Sequence, residues 1–267
     1  MRSCTLCGGR REKFAEGVVL QHRTVTFERC TACGTVVLPD PDWLDEAYSS
    51  AISSLDVGLL ERCVQIANIA NAVISSEKLR DGRFLDFAGG YGTLTRLMRD
   101  RGLDFHHLDP MCENLFAQGW AGSLDGRYDL VTAIEVLEHL PDPVDTLREV
   151  AGTTDLMLVT TQVLPSPVPQ PGHWAYYAEE TGQHVTFYTV QGLRALADRL
   201  GMQVTTAGNL VHLFHRRPLA RSTRLLMRDE RLAYVTGAVR SEHDRRRGLT
   251  APDRDSVVAR LHSSDPR

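Results

Sequence analysis

The sequence predicts an α/β protein, an open doubly wound sheet with a small metal-bound ribbon at its amino end, and three observations predict it. An apolar run carrying an acid, Phe84-Leu-Asp-Phe87, meets a glycine-rich bend and then a helical stretch at Thr93–Arg101. Two further apolar segments, Phe105–Asp109 and Tyr128–Ile134, each lead into an acid at the spacing of alternating strands and helices. Ahead of them, Cys4-Thr-Leu-Cys7 and Cys30-Thr-Ala-Cys33 form two Cys-x2-Cys pairs separated by 22 residues.

Composition agrees with this class. At 267 residues, 42% hydrophobic and 24% charged, the chain can bury one substantial core plus a small satellite. A net charge of −4 argues against a surface built throughout for nucleic acid. No apolar run approaches the roughly 18 residues needed to span a membrane, and the start lacks the pattern of a secretory leader. The expectation is therefore a cytoplasmic protein without membrane contact, whose six cysteines are thiols or metal ligands rather than a disulfide frame.

Two thiolates at this spacing fold round one ion in a tight knuckle, and Gly8 and Gly34 relieve the turn after each pair. Cys4, Cys7, Cys30 and Cys33 thus supply the four sulfurs of a tetrahedral zinc site, an iron–sulfur cluster being the alternative reading. Because all four positions are protein thiolates, the zinc is structural, and a ribbon this small needs the ion in order to fold. Cys63 and Cys112 fall outside the pattern and read as small hydrophobes. Val18–Glu28 alternates as a hairpin strand does. Val36–Trp43 leaves the ribbon through two prolines and reads as a linker. Trp43–Tyr48 is helical, and Leu59–Leu79 carries Leu60, Val64, Ile66, Ala67, Ile69, Ala70, Val73 and Ile74 at helical spacing. The expected divisions are a ribbon over 1–38, linker and helices over 39–82, a core over 83–214 and an extension over 215–267.

Gly90 and Gly92 can take positive φ and let a ligand approach the backbone closely, at a helix N-terminus that follows a strand. That arrangement makes a nucleotide-type cofactor site, although a glycine-rich turn is also how such a unit simply packs. No lysine of the phosphate-binding kind follows the loop, so a nucleoside without a phosphate chain fits better than ATP. Asp109 stands 17 residues after Gly92, where a carboxylate can accept the ribose hydroxyls; its alternative role is capping the turn after it. A strand over 118–124 is poorly marked.

Glu135-Val-Leu-Glu-His139 closes its strand with two carboxylates and an imidazole. These are donors suited to a divalent ion, but the reading adopted is metal-free, with Glu135 facing the cofactor and His139 facing substrate or capping the next helix, Pro143–Val150. Asp155–Thr161 is a strand. Pro165, Pro167, Pro169 and Pro171 then carry the chain to Trp174–Tyr177 and Gly182–Tyr188, which bring aromatics, hydroxyls and a histidine together. His184, with an ordinary pKa near 6.5, is the expected general base, with His139 and Tyr177 as the other candidates. The bland reading is that these aromatics bury a crossover loop. Thr189–Leu200 is an amphipathic helix ended by Gly201, and Gln203–Thr206 pairs with Asn209–Phe214. The segment from His215, with its run at Arg245–Arg247, reads as solvated helix packing on the core or on a second copy of the chain rather than on RNA. From Ser263 a loose end is expected.

The order of Leu-Asp-Phe-Ala-Gly-Gly-Tyr-Gly, the acid at Asp109 and Val-Leu-Glu-His resembles the class I S-adenosylmethionine-dependent methyltransferases over about Arg83–Phe214. Ala88 stands where the first motif glycine is usual. The resemblance implies a Rossmann-like, seven-stranded doubly wound sheet that binds S-adenosylmethionine. It places Asp86 near the methionyl ammonium group, Ala88, Gly90 and Gly92 along the cofactor, Asp109 on the ribose, Met111 against adenine and Glu135 at the methionine end. The ribbon, the proline-rich exit and the Gly-Gln-His-x-x-Phe-Tyr loop resemble a bacterial group acting in sugar, polysaccharide and natural-product pathways. That implies methyl transfer to a small polar metabolite, with S-adenosylmethionine and structural zinc. The alternatives are an RNA base methyltransferase with a zinc module and a cofactor-binding scaffold without catalysis.

Overall fold

A computed structural model describes residues 2–49, 55–243 and 248–263. The arginine run at 245–247 and residues 264–267 of the expected loose end lie outside the described residues, while Ser263, expected to begin that end, closes the last helix. In chain order the elements are β1 (Arg11–Val19), β2 (Arg23–Cys30), β3 (Val36–Val37), α1 (Leu44–Ala47), α2 (Leu59–Ser76), β4 (Arg83–Phe87), α3 (Thr93–Asp100), β5 (Asp104–Leu108), β6 (Leu130–Ile134), α4 (Pro143–Gly152), β7 (Leu156–Thr160), β8 (Thr186–Phe187), α5 (Val190–Arg199), β9 (Gln203–Ala207), β10 (Val211–His215), α6 (Arg221–Leu226), α7 (Glu230–His243) and α8 (Thr250–Ser263).

Two sheets organise the chain. The larger is mostly parallel, in the order β5-β4-β6-β7-β10-β9, with β10 antiparallel to both neighbours. This is the α/β, Rossmann-like sheet that the sequence predicts. Of the strands expected, the one over 118–124 is represented only by an isolated parallel bridge between His107 and Ala121. Its sequence, Gln-Gly-Trp-Ala-Gly-Ser-Leu, has two glycines and no β-branched residue, so little in it favours extended pairing. The smaller sheet runs β1-β2-β3-β8. The expected linker thus begins as strand, since Val36 pairs with Arg29 on one side and Phe187 on the other.

The chain divides into two units, one comprising Met1–Asp56 and Ala133–Pro218, the other Val57–Thr132 and Leu219–Arg267. In the first, β1 and β2 form a hairpin whose tip, Leu20 and Gln21, takes positive φ at both residues. That turn geometry matches strand twist, although neither residue signals it in the sequence. One apolar cluster joins the ribbon to the aromatic loop: Phe27, Val36, Leu38 and Trp43 pack with Tyr177, Val185 and Phe187. Phe27 meets Tyr177 edge-on at 5.2 Å, and Trp43 Nε1 donates to the Gly182 carbonyl at 2.8 Å.

The second unit is built on β4 and β5, parallel with Leu85 opposite His106, and Phe84 stacks on Phe105 at 5.0 Å. The face of α2 from Ile66 to Ile74 is buried as its spacing predicts, while Leu60 and Val64 near its start remain exposed. The arginine-rich extension forms helices: α7 lies against α2 closely enough that a Cβ on Gly237 would stand 1.8 Å from the Asn68 carbonyl oxygen. Only glycine permits that approach. Asp253, at the start of α8, receives hydrogen bonds from Arg96 and from both Nε and Nη2 of Arg99 on α3. Among the described residues no helix is long and apolar enough to cross a membrane.

Candidate active site and metal centre

In the second unit the end of β4 enters the glycine loop. Ala88, Gly90 and Gly92 all take positive φ, at 53°, 58° and 86°. Ala88 is held there by its N–H, which donates to the Leu108 carbonyl at 2.7 Å. Gly92 is the N-cap of α3, and a Cβ on it would lie 2.8 Å from Asn114 Oδ1. Gly90 N–H donates to Asp109 Oδ2 at 2.8 Å, and His107 Nε2 donates to the Gly90 carbonyl at 2.8 Å. The other oxygen of Asp109 accepts from the N–H groups of Met111 and Cys112 at 2.7 and 2.9 Å. Asp109 therefore caps its turn and also ties the loop to the end of β5. Met111, beside it, is exposed.

Asp86 lies below this loop, buried. Its carboxyl accepts from Thr132 Oγ1 at 2.7 Å and Thr95 Oγ1 at 3.1 Å. A Cβ on Gly89 would fall 2.4 Å from its Oδ2. Burial pushes this carboxyl up to about 6, against the pull of the Thr132 hydroxyl. Sequence reasoning gave no sign of Thr95, Thr132 or His107 in this supporting role; each is an ordinary residue of helix or strand until the sheet register places it.

A second group of candidate side chains belongs to the first unit. Glu135 follows β6 with φ of 53°, uncommon for a side chain of its size. Its N–H donates to Thr160 Oγ1 at 2.9 Å, and that hydroxyl donates to Glu135 Oε1 at 2.8 Å. Glu138 and His139 sit in a single 3₁₀ turn, Leu137–His139, and Glu138 is fully buried. Tyr176 donates its phenol to Glu138 Oε1 at 2.6 Å. Burial and the Glu138 charge push that phenol well above its ordinary range, so it stays a donor. His184 donates from Nδ1 to the Tyr176 carbonyl at 2.7 Å, and His139 Nδ1 is 2.8 Å from the Tyr48 hydroxyl. The two imidazoles meet edge to face at 4.7 Å. Glu138, His139 and His184 each bring one ligand-capable atom, all within 4.8 Å of one another.

The structure thus unites His139 and His184, which lie far apart in sequence. Tyr177 faces elsewhere: its hydroxyl donates to the Pro169 carbonyl at 2.7 Å, and burial holds it up at about 12. The tyrosines in the cluster are Tyr176 and Tyr48. Which of two adjacent tyrosines points inward depends on the turn at Ala175–Tyr177, and the pairing of Tyr48 with His139 spans the fold, so neither was legible as pattern.

At the amino end the four cysteines converge, with their ligand atoms within 4.8 Å of one another. Cys4 Sγ is 3.8 Å from Cys33 Sγ, and Cys7 Sγ is 3.5 Å from Cys30 Sγ. A tetrahedral ion bonded to sulfur at about 2.3 Å needs an edge of roughly 3.8 Å, so the set fits a four-thiolate metal. Gly8 and Gly34 take φ of 74° and 75°, closing the knuckles as the sequence required. Gly9 also matters, since a Cβ there would meet Cys30 Sγ at 3.0 Å.

A family described as methyltransferase domain matches residues 66–207. No curated protein sequence matches the chain. Among solved structures, the Burkholderia thailandensis 1,6-didemethyltoxoflavin-N1-methyltransferase, with bound 1,6-didemethyltoxoflavin and S-adenosylhomocysteine, is similar with a TM-score of 0.51 at 16% identity, covering 69% of this chain and 96% of that one. The mitomycin 7-O-methyltransferase MmcR gives 0.47 at 16%, covering 66% of this chain and 60% of that one, less than two thirds of its length. The magnesium protoporphyrin IX methyltransferase ChlM of Synechocystis PCC 6803, with bound S-adenosylhomocysteine, gives 0.43 at 14%, covering 65% and 91%. The likeness to the Burkholderia thailandensis enzyme shows a shared fold, and with more than half its residues matched the chain belongs to the family of methyltransferase domains.

Proposed function

We propose that the protein transfers a methyl group from S-adenosylmethionine to a small polar metabolite, of the kind found in sugar or natural-product pathways. The observation that carries this reading is the glycine loop folded onto Asp109, with Gly90 N–H on the carboxylate and a helix N-terminus beside it. Asp109 accepts a ribose hydroxyl with the second lone pair of Oδ2, Met111 covers the adenine, and Ala88, Gly90 and Gly92 admit the nucleoside along the backbone. Asp86 acts from beneath Gly89, fixing the loop at the methionine end, to which Glu135 is also assigned. When bound, S-adenosylmethionine supplies a sulfonium methyl that leaves by displacement.

The chain's own residues then hold the acceptor and manage its proton. His184 is the proposed general base, with its ring orientation fixed by the Tyr176 carbonyl. His139 stands beside it and is oriented by Tyr48. Tyr177 supports the wall behind them through Pro169. The cysteine set carries structural zinc, which cross-links the knuckles of the ribbon whose β3 pairs with β8 next to His184. Nucleic acid is not the proposed partner, and the cytoplasm is the proposed location.

Incubation with methyl-labelled cofactor and a panel of nucleotide sugars, small metabolites and total RNA tests the acceptor class. Label in a sugar or metabolite supports the proposal; label only in RNA contradicts it. On the acceptor so identified, His184→Ala is expected to slow turnover by about 10²–10⁴-fold while cofactor affinity is retained. Normal turnover would remove His184 as the base.

A further inference from the structure

We infer that Glu138, His139 and His184 form a divalent-cation site, separate from the cysteine cluster, that presents the acceptor's oxygen. The donor set is one carboxylate and two imidazoles on a buried turn and its neighbouring loop, with ligand-capable atoms all within 4.8 Å of one another. That convergence is close to what one ion of first-row size requires, since nitrogen and oxygen ligands about 2.0–2.2 Å from a common centre stand within twice that distance of each other.

The surroundings are those of ligands held in place. An imidazole that binds a metal is generally oriented through its other nitrogen by a carbonyl, carboxylate or hydroxyl. His184 donates from Nδ1 to the Tyr176 carbonyl at 2.7 Å, which fixes its tautomer, and His139 Nδ1 sits 2.8 Å from the Tyr48 hydroxyl. Glu138 is oriented in turn by the Tyr176 phenol at 2.6 Å. Tyr176 thereby steadies two of the three ligands, one with its hydroxyl and one with its main chain. Glu135, 3.4 Å from the same phenol, bounds the cluster at the start of the 135–139 segment. Its left-handed backbone is a local strain that the surrounding hydrogen bonds to Thr160 maintain.

Two imidazoles and a carboxylate suit first-row transition cations such as manganese, iron, cobalt or zinc, and leave coordination positions for exogenous oxygen. The inference rests on the methyl-transfer reading and revises one role in it: His184 holds the ion instead of taking the acceptor's proton. A hydroxyl of the acceptor completes the coordination, the cation lowers its pKa, its O–H bond breaks and the proton goes to water, leaving the oxygen as the nucleophile. His139 and His184 then act on the acceptor through the ion. A single hydroxyl beside a second oxygen or nitrogen, as on a sugar ring or a catechol-like ring, is the acceptor chemistry that such a centre favours.

Manganese(II) titrated into the full chain as purified, followed by loss of the free-ion electron paramagnetic resonance signal, tests the site. Thiolate clusters select softer ions, so the cysteine set competes little for manganese. The expected result is about one ion per chain, weakened at least tenfold in Glu138→Gln and in His184→Asn, with circular dichroism and S-adenosylhomocysteine affinity as in the wild type. His184→Asn keeps the test valid if the buried Glu138 variant does not fold. No manganese binding by the wild type, or equal binding in both folded variants, overturns the site and leaves His184 as a metal-free base. Failure of S-adenosylhomocysteine to bind would sink the methyl-transfer reading instead, and the manganese titration would still decide the cation site.

Discussion

Ala88 shows how a single position departs from the expected residue without losing the conformation. The loop requires φ near +53° there, a region where a Cβ costs roughly 1–2 kcal/mol. The Leu108 carbonyl, the loop glycines and Asp109 hold the backbone in place regardless. Ala88→Gly relieves that strain but adds about 0.4–1 kcal/mol of unfolded-state entropy, so its net effect on stability is expected to stay within about 1 kcal/mol. Ala88→Val, which is β-branched at a left-handed position, is expected to destabilise by more than about 2 kcal/mol in urea unfolding. A harmless valine would show that the loop relaxes out of this conformation. Much at this scale was readable: Gly90 and Gly92 were expected to take positive φ and Gly8 and Gly34 to relieve their turns, and all four have positive φ. Glu135 and the turn residues Leu20 and Gln21 have it too, and no residue type announces that.

At the scale of elements, the sequence was most informative where one local force acts alone. The periodicity of α2, the stop of α5 at Gly201, and the cysteine knuckles all follow from local chemistry. What escaped it were pairings over long separations: β3 with β8, and Asp253 with Arg99. The ribbon shows the consequence, because its sheet is completed by a strand from the histidine loop. Zinc bound by Cys4, Cys7, Cys30 and Cys33 should therefore matter beyond the ribbon. Elemental analysis is expected to find about one zinc per chain in the wild type and none in Cys30→Ser/Cys33→Ser, with loss of folding in the first unit. Equal zinc in both proteins would refute the four-thiolate centre.

For the whole molecule, two buried groups give opposite dependences on pH. Asp86 has its folded pKa raised from 3.8 to about 6, so between those values the native state binds more protons than the unfolded chain and stability falls as pH rises. His212 is buried in β10, its Nε2 donating to the Thr161 carbonyl, and burial lowers its pKa from 6.5 to about 4. In that window the unfolded chain binds more protons, so stability rises with pH. Each effect is on the order of 3 kcal/mol taken alone, and over pH 4–6 they oppose each other. His212→Gln is therefore expected to gain less stability, or lose more, than the wild type from pH 4 to 6.5, and Asp86→Asn the reverse. Parallel stability curves for all three proteins would contradict these assignments.

The class of fold was legible in the order of strand, glycine loop and acid, because those motifs are set by how a sheet meets a ligand. The central claim is that this loop binds S-adenosylmethionine through Asp109. Calorimetric titration with S-adenosylhomocysteine tests it most directly. The expected result is one site per chain, with Asp109→Ala weakening it by about 1–3 kcal/mol, the usual effect of removing a hydrogen bond to a charged group. No binding to the wild type would contradict the claim, and equal affinity in the variant would reduce Asp109 to the cap of its own turn.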